Sequence, residues 1–497
     1  MDFLSNLALG LSVALSAYGL MYCFIGVSLG TLVGVLPGLG PLASIAMLLP
    51  LTYHVDPAYG LIMLAGIYYG AAYGGRITSI LLNVAGEAAS AVTLLDGYPL
   101  ARQGKAGVAL FMTAMASFFG SVVGIVLLAG FAQPLAYVAM NFGAQEYFSL
   151  MLMGLVSAAL LASETPFRAL AMVCLGLCFG LVGMDVNSGA MRFTFDVIEL
   201  TDGLSLVAIA VGLFGLPEIM TTVGTASLQS GGGKLGLREM MPRRSEWRAV
   251  VPSMLRGSGV GAFFGILPGT GAVTASFMAY AVEKKSSATP ERFGKGAIEG
   301  VVAPEAASNA AAQSSFIPTL SLGIPGDPIM ALMLGVMMVH NILPGPNFIT
   351  GQPELFWGLV ASFLVGNIML VVLNVPMIGL WVKLLKVPYR VLFPIIIALC
   401  CIGVYSVNYQ VIDLYVLIGF GVLGLLLKRL NFPPAPLLLG LVLGPMLEEN
   451  FRRGMVIEDG NFASFFTRPV SALFLGLIVV ILCWTLFTTL RGRRRHG

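Results

Sequence analysis

Long stretches of this sequence carry no charge at all, and that constrains the fold more than any other feature. Residues 106–145, 355–382, 391–412 and 469–490 contain no Asp, Glu, Lys or Arg, and between Met1 and Gly75 only Asp2 and Asp56 are charged. A helix needs roughly 20 apolar residues to cross the hydrocarbon core of a bilayer. Each of these runs is therefore long enough for at least one crossing. Lipid offers no water to free backbone amides, so a crossing segment is either a helix or part of a closed barrel. The runs are continuous rather than alternating, which excludes a barrel. Composition agrees: 57% of the 497 residues are apolar and 10% are charged, against about 25% charged in ordinary soluble domains. The fold class is an all-α polytopic membrane protein.

Apolar elements fall at 7–35, 58–75, 107–131, 144–163, 167–184, 203–221, 249–267, 326–343, 354–376, 391–409, 411–427 and 470–490. Pieces at 37–52, 77–95, 268–282, 316–325 and 436–447 are interrupted by Gly and Pro. The expectation is 10–12 transmembrane helices plus re-entrant hairpins. Basic residues set orientation. Lys234, Arg238, Arg243, Arg244 and Arg248 mark the 222–248 connection as cytoplasmic, and Arg491, Arg493, Arg494 and Arg495 do the same for the C-terminus. The acidic 185–202 segment fits the outer side, and the absence of basic residues before Arg76 favours an external N-terminus. The net charge of +3, dispersed over loops, argues against nucleic acid as a partner. Three His (His54, His340, His496) and six Cys within apolar segments offer no metal site; Cys174 and Cys178 share a helix face but have no His or carboxylate beside them.

Two widely separated strings match. Gly34-Val-Leu-Pro-Gly-Leu-Gly40 parallels Gly265-Ile-Leu-Pro-Gly-Thr-Gly271, and Ile80-Leu-Leu-Asn-Val-Ala-Gly-Glu87 parallels Leu320-Ser-Leu-Gly-Ile-Pro-Gly-Asp327. The reading is a two-fold internal repeat, inverted, with residues 1–221 as the first membrane repeat. A basic linker follows at 222–248, and 249–497 forms the second repeat with additional C-terminal helices. Broken helices at matching positions of two halves point to a transporter with its site where the breaks meet. Pro removes an amide and breaks the helix, and Gly permits unusual backbone angles. The positive end of the half-helix that follows stabilises an anion. The candidate substrate-binding residues are Pro37, Gly38, Gly40, Pro268, Gly269, Thr270, Gly271, Asn83, Gly86, Gly323, Pro325 and Gly326.

Polar groups at membrane depth need partners or a task. Ser79, Asn83, Glu87, Asn309, Thr319, Ser321 and Asp327 are the candidate ion-coupling residues, because their oxygens suit Na⁺ or hydrogen bonds to a carboxylate. Thr78 belongs to the same cluster. Arg76 is placed to pair with Glu87 across a hairpin, or to fork a carboxylate directly. Glu305 and Asn309 share a helix face in the Ala- and Gly-rich stretch 296–315. Residues 96–105 read as a cytoplasmic loop, with Tyr98 and Arg102 as interfacial anchors.

The strings Gly34–Gly40, Tyr69–Gly75, Ile80–Ser90, Asp96–Gly104, Pro304–Ala312 and Ile317–Gly326 resemble the large membrane subunit of the tripartite tricarboxylate transporter family, and the likeness runs through nearly the whole chain. The resemblance implies a bacterial inner-membrane protein that works with a small four-helix membrane subunit and a periplasmic solute-binding protein. It implies import of a small di- or tricarboxylate by this large translocating subunit, driven by an ion gradient. No Gly-x-x-x-x-Gly-Lys-[Ser/Thr] phosphate loop is present. No cofactor is implied beyond a coupling ion, for which the lack of a His relay favours Na⁺. One departure stands out: Ala85 occupies the place where the family pattern has Pro, as Pro325 does in the second half, and its absence should soften the first hairpin. The competing readings are a secondary transporter of another organic anion or an amino acid, an intramembrane enzyme, and a non-transporting scaffold. His54 and Asp56 are the nearest thing to a catalytic pair.

Overall fold

The computed structural model describes residues 3–36, 39–161, 165–185, 188–222, 240–242, 244–384 and 389–496. It is helical almost throughout. The order begins α1 (Phe3–Ala14), α2 (Ala17–Gly34), α3 (Pro41–Leu48), α4 (Pro57–Leu82), α5 (Ala91–Leu100), α6 (Ala106–Ala139), α7 (Ala144–Leu161) and α8 (Pro166–Gly180). A two-stranded hairpin, β1 (Gly183–Met184) and β2 (Met191–Arg192), follows. Next come α9 (Leu206–Ala210), α10 (Leu216–Thr222), α11 (Arg244–Ile266), α12 (Gly271–Ser286), α13 (Glu299–Ser314), α14 (Phe316–Leu322) and α15 (Pro328–Val339). The chain ends with α16 (Pro346–Gly351), α17 (Pro353–Asn374), α18 (Ile378–Leu384), α19 (Tyr389–Asn408), α20 (Val411–Arg429), α21 (Ala435–Ile457), α22 (Ser464–Thr467) and α23 (Pro469–His496). Among the described residues, six helices are long and apolar enough to cross a membrane unaided, and further apolar helices are shorter.

Two helices form the axis. Every residue of α4 from Gly60 to Ile80 is buried, and so is every residue of α13 from Gly300 to Ser314. A helix buried on all sides belongs to the interior of a bundle. Small residues bring its neighbours close. On α2, a Cβ added to Gly26, Gly30 or Gly34 would lie 2.2–2.3 Å from the carbonyl oxygens of Met63, Ile67 and Ala71 of α4. On α11, a Cβ at Gly257, Gly261 or Gly265 would lie 2.1–2.4 Å from the carbonyl oxygens of Ala303, Ala307 and Ala311 of α13. No side chain fits in either seam. Helix α6 lies along α13 in the same way, with Gly120 against Ala306 and Gly124 against Gln313.

Several sequence expectations change here. The apolar run 7–35 is two helices, because Ser16 leaves the helix and its hydroxyl accepts from Gly19 N at 3.0 Å, capping α2. The piece at 436–447 is part of a 23-residue helix that tolerates Pro445. Residues 96–100 are not a loop but the last turn of α5, whereas 101–105 form a mostly exposed kink into α6 at Gly104 (φ 81°). The reason is Asp96, which is fully buried and accepts from the amides of Gly294, Gly296 and Ala297 at 2.8–2.9 Å and from the Tyr280 hydroxyl at 3.0 Å. A carboxylate from α5 thereby satisfies the amides that lead into α13. Of the 222–248 linker, residues 223–239 and 243 lie outside the described residues.

Candidate functional site

Each broken helix sits against a hairpin tip of its own half. In the second half, α11 ends at Ile266 and α12 starts at Gly271. Gly269 (φ 85°) and Gly271 (φ 59°) adopt the left-handed backbone that glycine accommodates without a steric cost. Gly269 N donates to Gly326 O at 2.7 Å. A Cβ at Gly269 would fall 2.3 Å from Ala158 Cα of α7, and one at Gly271 would meet Asp327 Cβ at 3.1 Å. Thr270 folds its hydroxyl back onto Leu267 O at 3.1 Å, next to Pro268. The tip is Gly323 (φ 71°), Ile324, Pro325 and Gly326, all buried. Asp327 then caps α15 by accepting from Met330 N at 2.9 Å.

The first half repeats this contact set where it is described. Gly40 precedes Pro41 of α3, and its Cβ would meet Glu87 Cβ at 3.5 Å and Gly86 O at 3.6 Å. Asn83 ends α4 in the left-handed region (φ 56°), a conformation that Asn tolerates. Gly86 packs on Gly75, whose Cα would lie 2.3 Å from an added Cβ. Pro37 and Gly38 lie outside the described residues. The tip without proline is tied by hydroxyls instead: Ser79 Oγ and Ser90 Oγ are 2.9 Å apart, Gly86 N donates to Ser79 Oγ at 3.3 Å, and Glu87 N donates to Ser90 Oγ at 3.2 Å. The two tips differ in access. Asn83 and Val84 are exposed, whereas Gly323 and Ile324 are buried.

The remaining candidates divide. Ser79 takes part in the first tip. Thr78 donates to Gly75 O at 2.7 Å, Thr319 to Ser315 O at 2.6 Å, and Ser321 to Ala132 O of α6 at 2.9 Å. Their protons are committed to backbone, which leaves the oxygens as acceptors. Asn309 Nδ2 donates to Glu305 O at 2.8 Å, along its own helix. Arg76 does not pair with Glu87. Helix α4 runs straight through Leu82, which turns Arg76 toward α13 and α6. There it forms a buried ion pair with Glu305 and donates to Ser117 Oγ at 2.7 Å, under the Tyr73 ring at 5.0 Å. Glu305 also accepts from Thr93 Oγ1 at 2.6 Å. The guanidinium is thus engaged by the Glu305 carboxylate through Nε and by the Ser117 hydroxyl through Nη1, so its charge is already paired within the bundle rather than presented to a carboxylate ligand. His54 Nε2 donates to Ser406 O at 3.0 Å and Asp56 caps α4 by accepting from Ala58 N, so they do not face one another as a catalytic pair. Among the described residues, no three His, Cys, Asp or Glu cluster as a metal site.

Three contributors were not foreseen. Tyr68 of α4 is buried, its hydroxyl has no hydrogen-bond partner among the described residues, and it lies within electrostatic reach of both Asp327 and Glu87. Tyr69 donates to Gln313 Oε1 at 2.9 Å, joining α4 to α13, while Gln313 Nε2 has no partner among the described residues. Asp96 joins the same two halves. A tyrosine pair in the middle of an apolar helix was the available signal for the first two, since a tyrosine hydroxyl in lipid needs a partner. The chemistry on offer is mixed. The N-termini of α3, α12 and α15 present positive helix ends, and two carboxylates, Glu87 and Asp327, stand at the same breaks.

Residues 20–439 match the tripartite tricarboxylate transporter TctA family. An uncharacterized 52.8 kDa protein in the TAR-I ttuC' 3'region of Agrobacterium vitis is 50% identical over 494 residues, which is 99% of this chain and 98% of that protein. A second Agrobacterium vitis protein, in the TAR-II ttuC' 3'region, is 53% identical over 234 residues, 47% of this chain and 97% of its own length. No solved structure matches. With the family match spanning both broken helices and both tips, this multi-pass membrane protein belongs to the tripartite tricarboxylate transporter TctA family, whose members are subunits of tricarboxylate transporters.

Proposed function

We propose that this chain is the large translocating subunit of a binding-protein-dependent importer of small di- and tricarboxylates, driven by an ion gradient and situated in the bacterial inner membrane with its C-terminus cytoplasmic. Its partners are a small membrane subunit and a soluble solute-binding protein. The observation that carries this reading is the pairing of a helix break with a hairpin tip in two places, Gly40 beside Gly86 and Glu87, and Gly269 and Gly271 bonded to or touching Gly326 and Asp327. Such breaks expose helix ends and carbonyls in the middle of a bundle, where a transporter holds its substrate and coupling ion.

An internal duplication underlies the pairing. The shift that carries Gly40 onto Gly271 carries the seam glycines Gly26, Gly30 and Gly34 onto Gly257, Gly261 and Gly265. The shift that carries Glu87 onto Asp327 carries Met63, Ile67 and Ala71 onto Ala303, Ala307 and Ala311. It also carries Asn83 onto Gly323, both left-handed, and Gly75 onto Ser315, each packed on its tip glycine. Two halves that share sequence strings and their contacts support a repeat.

Ion coupling follows from charge. Glu87 and Asp327 both ionised would repel a carboxylate, so a cation must neutralise them before an anion can occupy the same region. The test is uptake of radiolabelled di- and tricarboxylates into proteoliposomes that hold the complex, under an imposed Na⁺ or pH gradient. Gradient-dependent accumulation is expected. An Asp327→Asn variant that assembles at wild-type level should lose the cation dependence, falling at least tenfold in gradient-driven uptake. Accumulation of another anion or an amino acid, but of no carboxylate, would replace the substrate assignment.

A further inference from the structure

Outside the apolar helices, residues 188–202 form a projecting surface. The β1–β2 hairpin is clamped to α21 by four charges. Arg192 pairs with Asp185 and donates to both oxygens of Glu448 at 3.0 Å, while Arg452 reaches Asp185 at 3.1 Å and Glu448 at 2.7 Å. Beyond the clamp the chain turns through three non-glycine residues in the left-handed region, Phe193 (φ 53°), Phe195 (φ 51°) and Asp196 (φ 61°). Such backbone is unfavourable and persists where the surroundings over-determine it. The result is to hold Phe195 and Ile198 at 82% and 84% exposure, more than any other large apolar side chain among the described residues. Lipid-facing side chains on α23, such as Val479 at 58% and Phe487 at 59%, are partly covered by their own helix. Phe195 lies in a turn and Ile198 opens a three-residue 3-10 helix, and neither is covered in this way. The neighbouring end of α21 adds exposed Val456, and Phe462 lies just beyond it.

We propose that this surface is where the soluble solute-binding subunit docks, through an apolar pocket with a basic rim that receives Phe195 and Ile198. The inference rests on the binding-protein dependence proposed above. Charge selects a protein over the bilayer. Asp196 and Glu199 alternate with the two apolar tips, so inserting the tips into lipid would carry carboxylates with them against their desolvation, and anionic headgroups would repel them. A basic rim on a protein partner instead gains from both. The clamp limits the ordering cost of association, since the loop is already fixed before contact.

The test titrates the purified soluble subunit of the same system against proteoliposomes holding the membrane subunits, and in parallel measures its binding to the same membrane complex in nanodiscs. For Phe195→Ser/Ile198→Ser, the half-maximal concentration in both assays should rise at least tenfold, with uptake at saturation unchanged. Asp196→Asn/Glu199→Gln should raise it less and flatten its salt dependence. Superimposable curves for the wild type and Phe195→Ser/Ile198→Ser overturn the docking site while leaving binding-protein dependence intact. Full wild-type uptake in the absence of the soluble subunit, with no binding of that subunit to the nanodiscs, overturns that dependence itself, and the docking site with it. Quenching of a Phe195→Trp fluorophore by brominated lipid, without the soluble subunit, assigns the tips to the bilayer and overturns the proposal.

Discussion

At the scale of single residues, Tyr68 is the sharpest case. A buried hydroxyl left unpaired costs about 1–3 kcal/mol, and Tyr68, whose hydroxyl has no partner among the described residues, bears that cost within electrostatic reach of Glu87 and Asp327. A bound ion or substrate that meets the hydroxyl recovers it. Tyr68→Phe should therefore insert and assemble as the wild type does, or slightly better, yet raise the half-saturating concentration of substrate or coupling ion about tenfold in proteoliposome uptake. Unchanged uptake kinetics would remove Tyr68 from the site. The residue was illegible in the sequence because its meaning comes from what faces it. Nothing local to Tyr68 announces Asp327, hundreds of positions away, whereas Pro268 and Gly269 act on their own backbone and could be read directly. Arg76 went wrong for the same reason: Glu87 was the near carboxylate, but Glu305 is the one that α13 delivers.

At the scale of elements, backbone-to-backbone seams hold the bundle together. On α11 the contact glycines recur every fourth residue, and Gly259, between two of them, faces open space. That contrast makes an internal control. Gly261→Leu would drive a side chain into Ala307, where a Cβ alone already reaches 2.1 Å from its carbonyl oxygen. Folded yield in detergent should collapse. Gly259→Ala removes only a helix-weakening glycine, worth about 1 kcal/mol, so its thermal midpoint should stay level or rise by a few degrees. Helix type and the existence of both tips were legible, because apolar length and Pro-Gly punctuation are local signals. Boundaries were less so: one capping hydroxyl at Ser16 split a run that composition made continuous, and a fully helical α21 absorbed Pro445.

At the scale of the whole molecule, the tips are unequal. Val84 is 41% exposed and Ile324 is fully buried, although the two stand at matching points of their halves. Under the transport function proposed above, open access at one tip and closure at the other correspond to one state of an alternating cycle. A maleimide should modify Val84→Cys at least tenfold faster than Ile324→Cys at rest, and substrate with a driving gradient should narrow the difference. Equal rates in every condition would mean that the asymmetry is fixed rather than cyclic. The Asp96 joint bears on a different question, whether the chain could ever work as two shorter polypeptides. The carboxylate is encoded before the basic linker, and the three amides it satisfies are encoded after it. Cutting the gene at the linker would leave one product with a stranded acid and the other with an unfinished helix start. Neither piece would be a finished protein until it met the other, so split halves should survive in the cell only when made together.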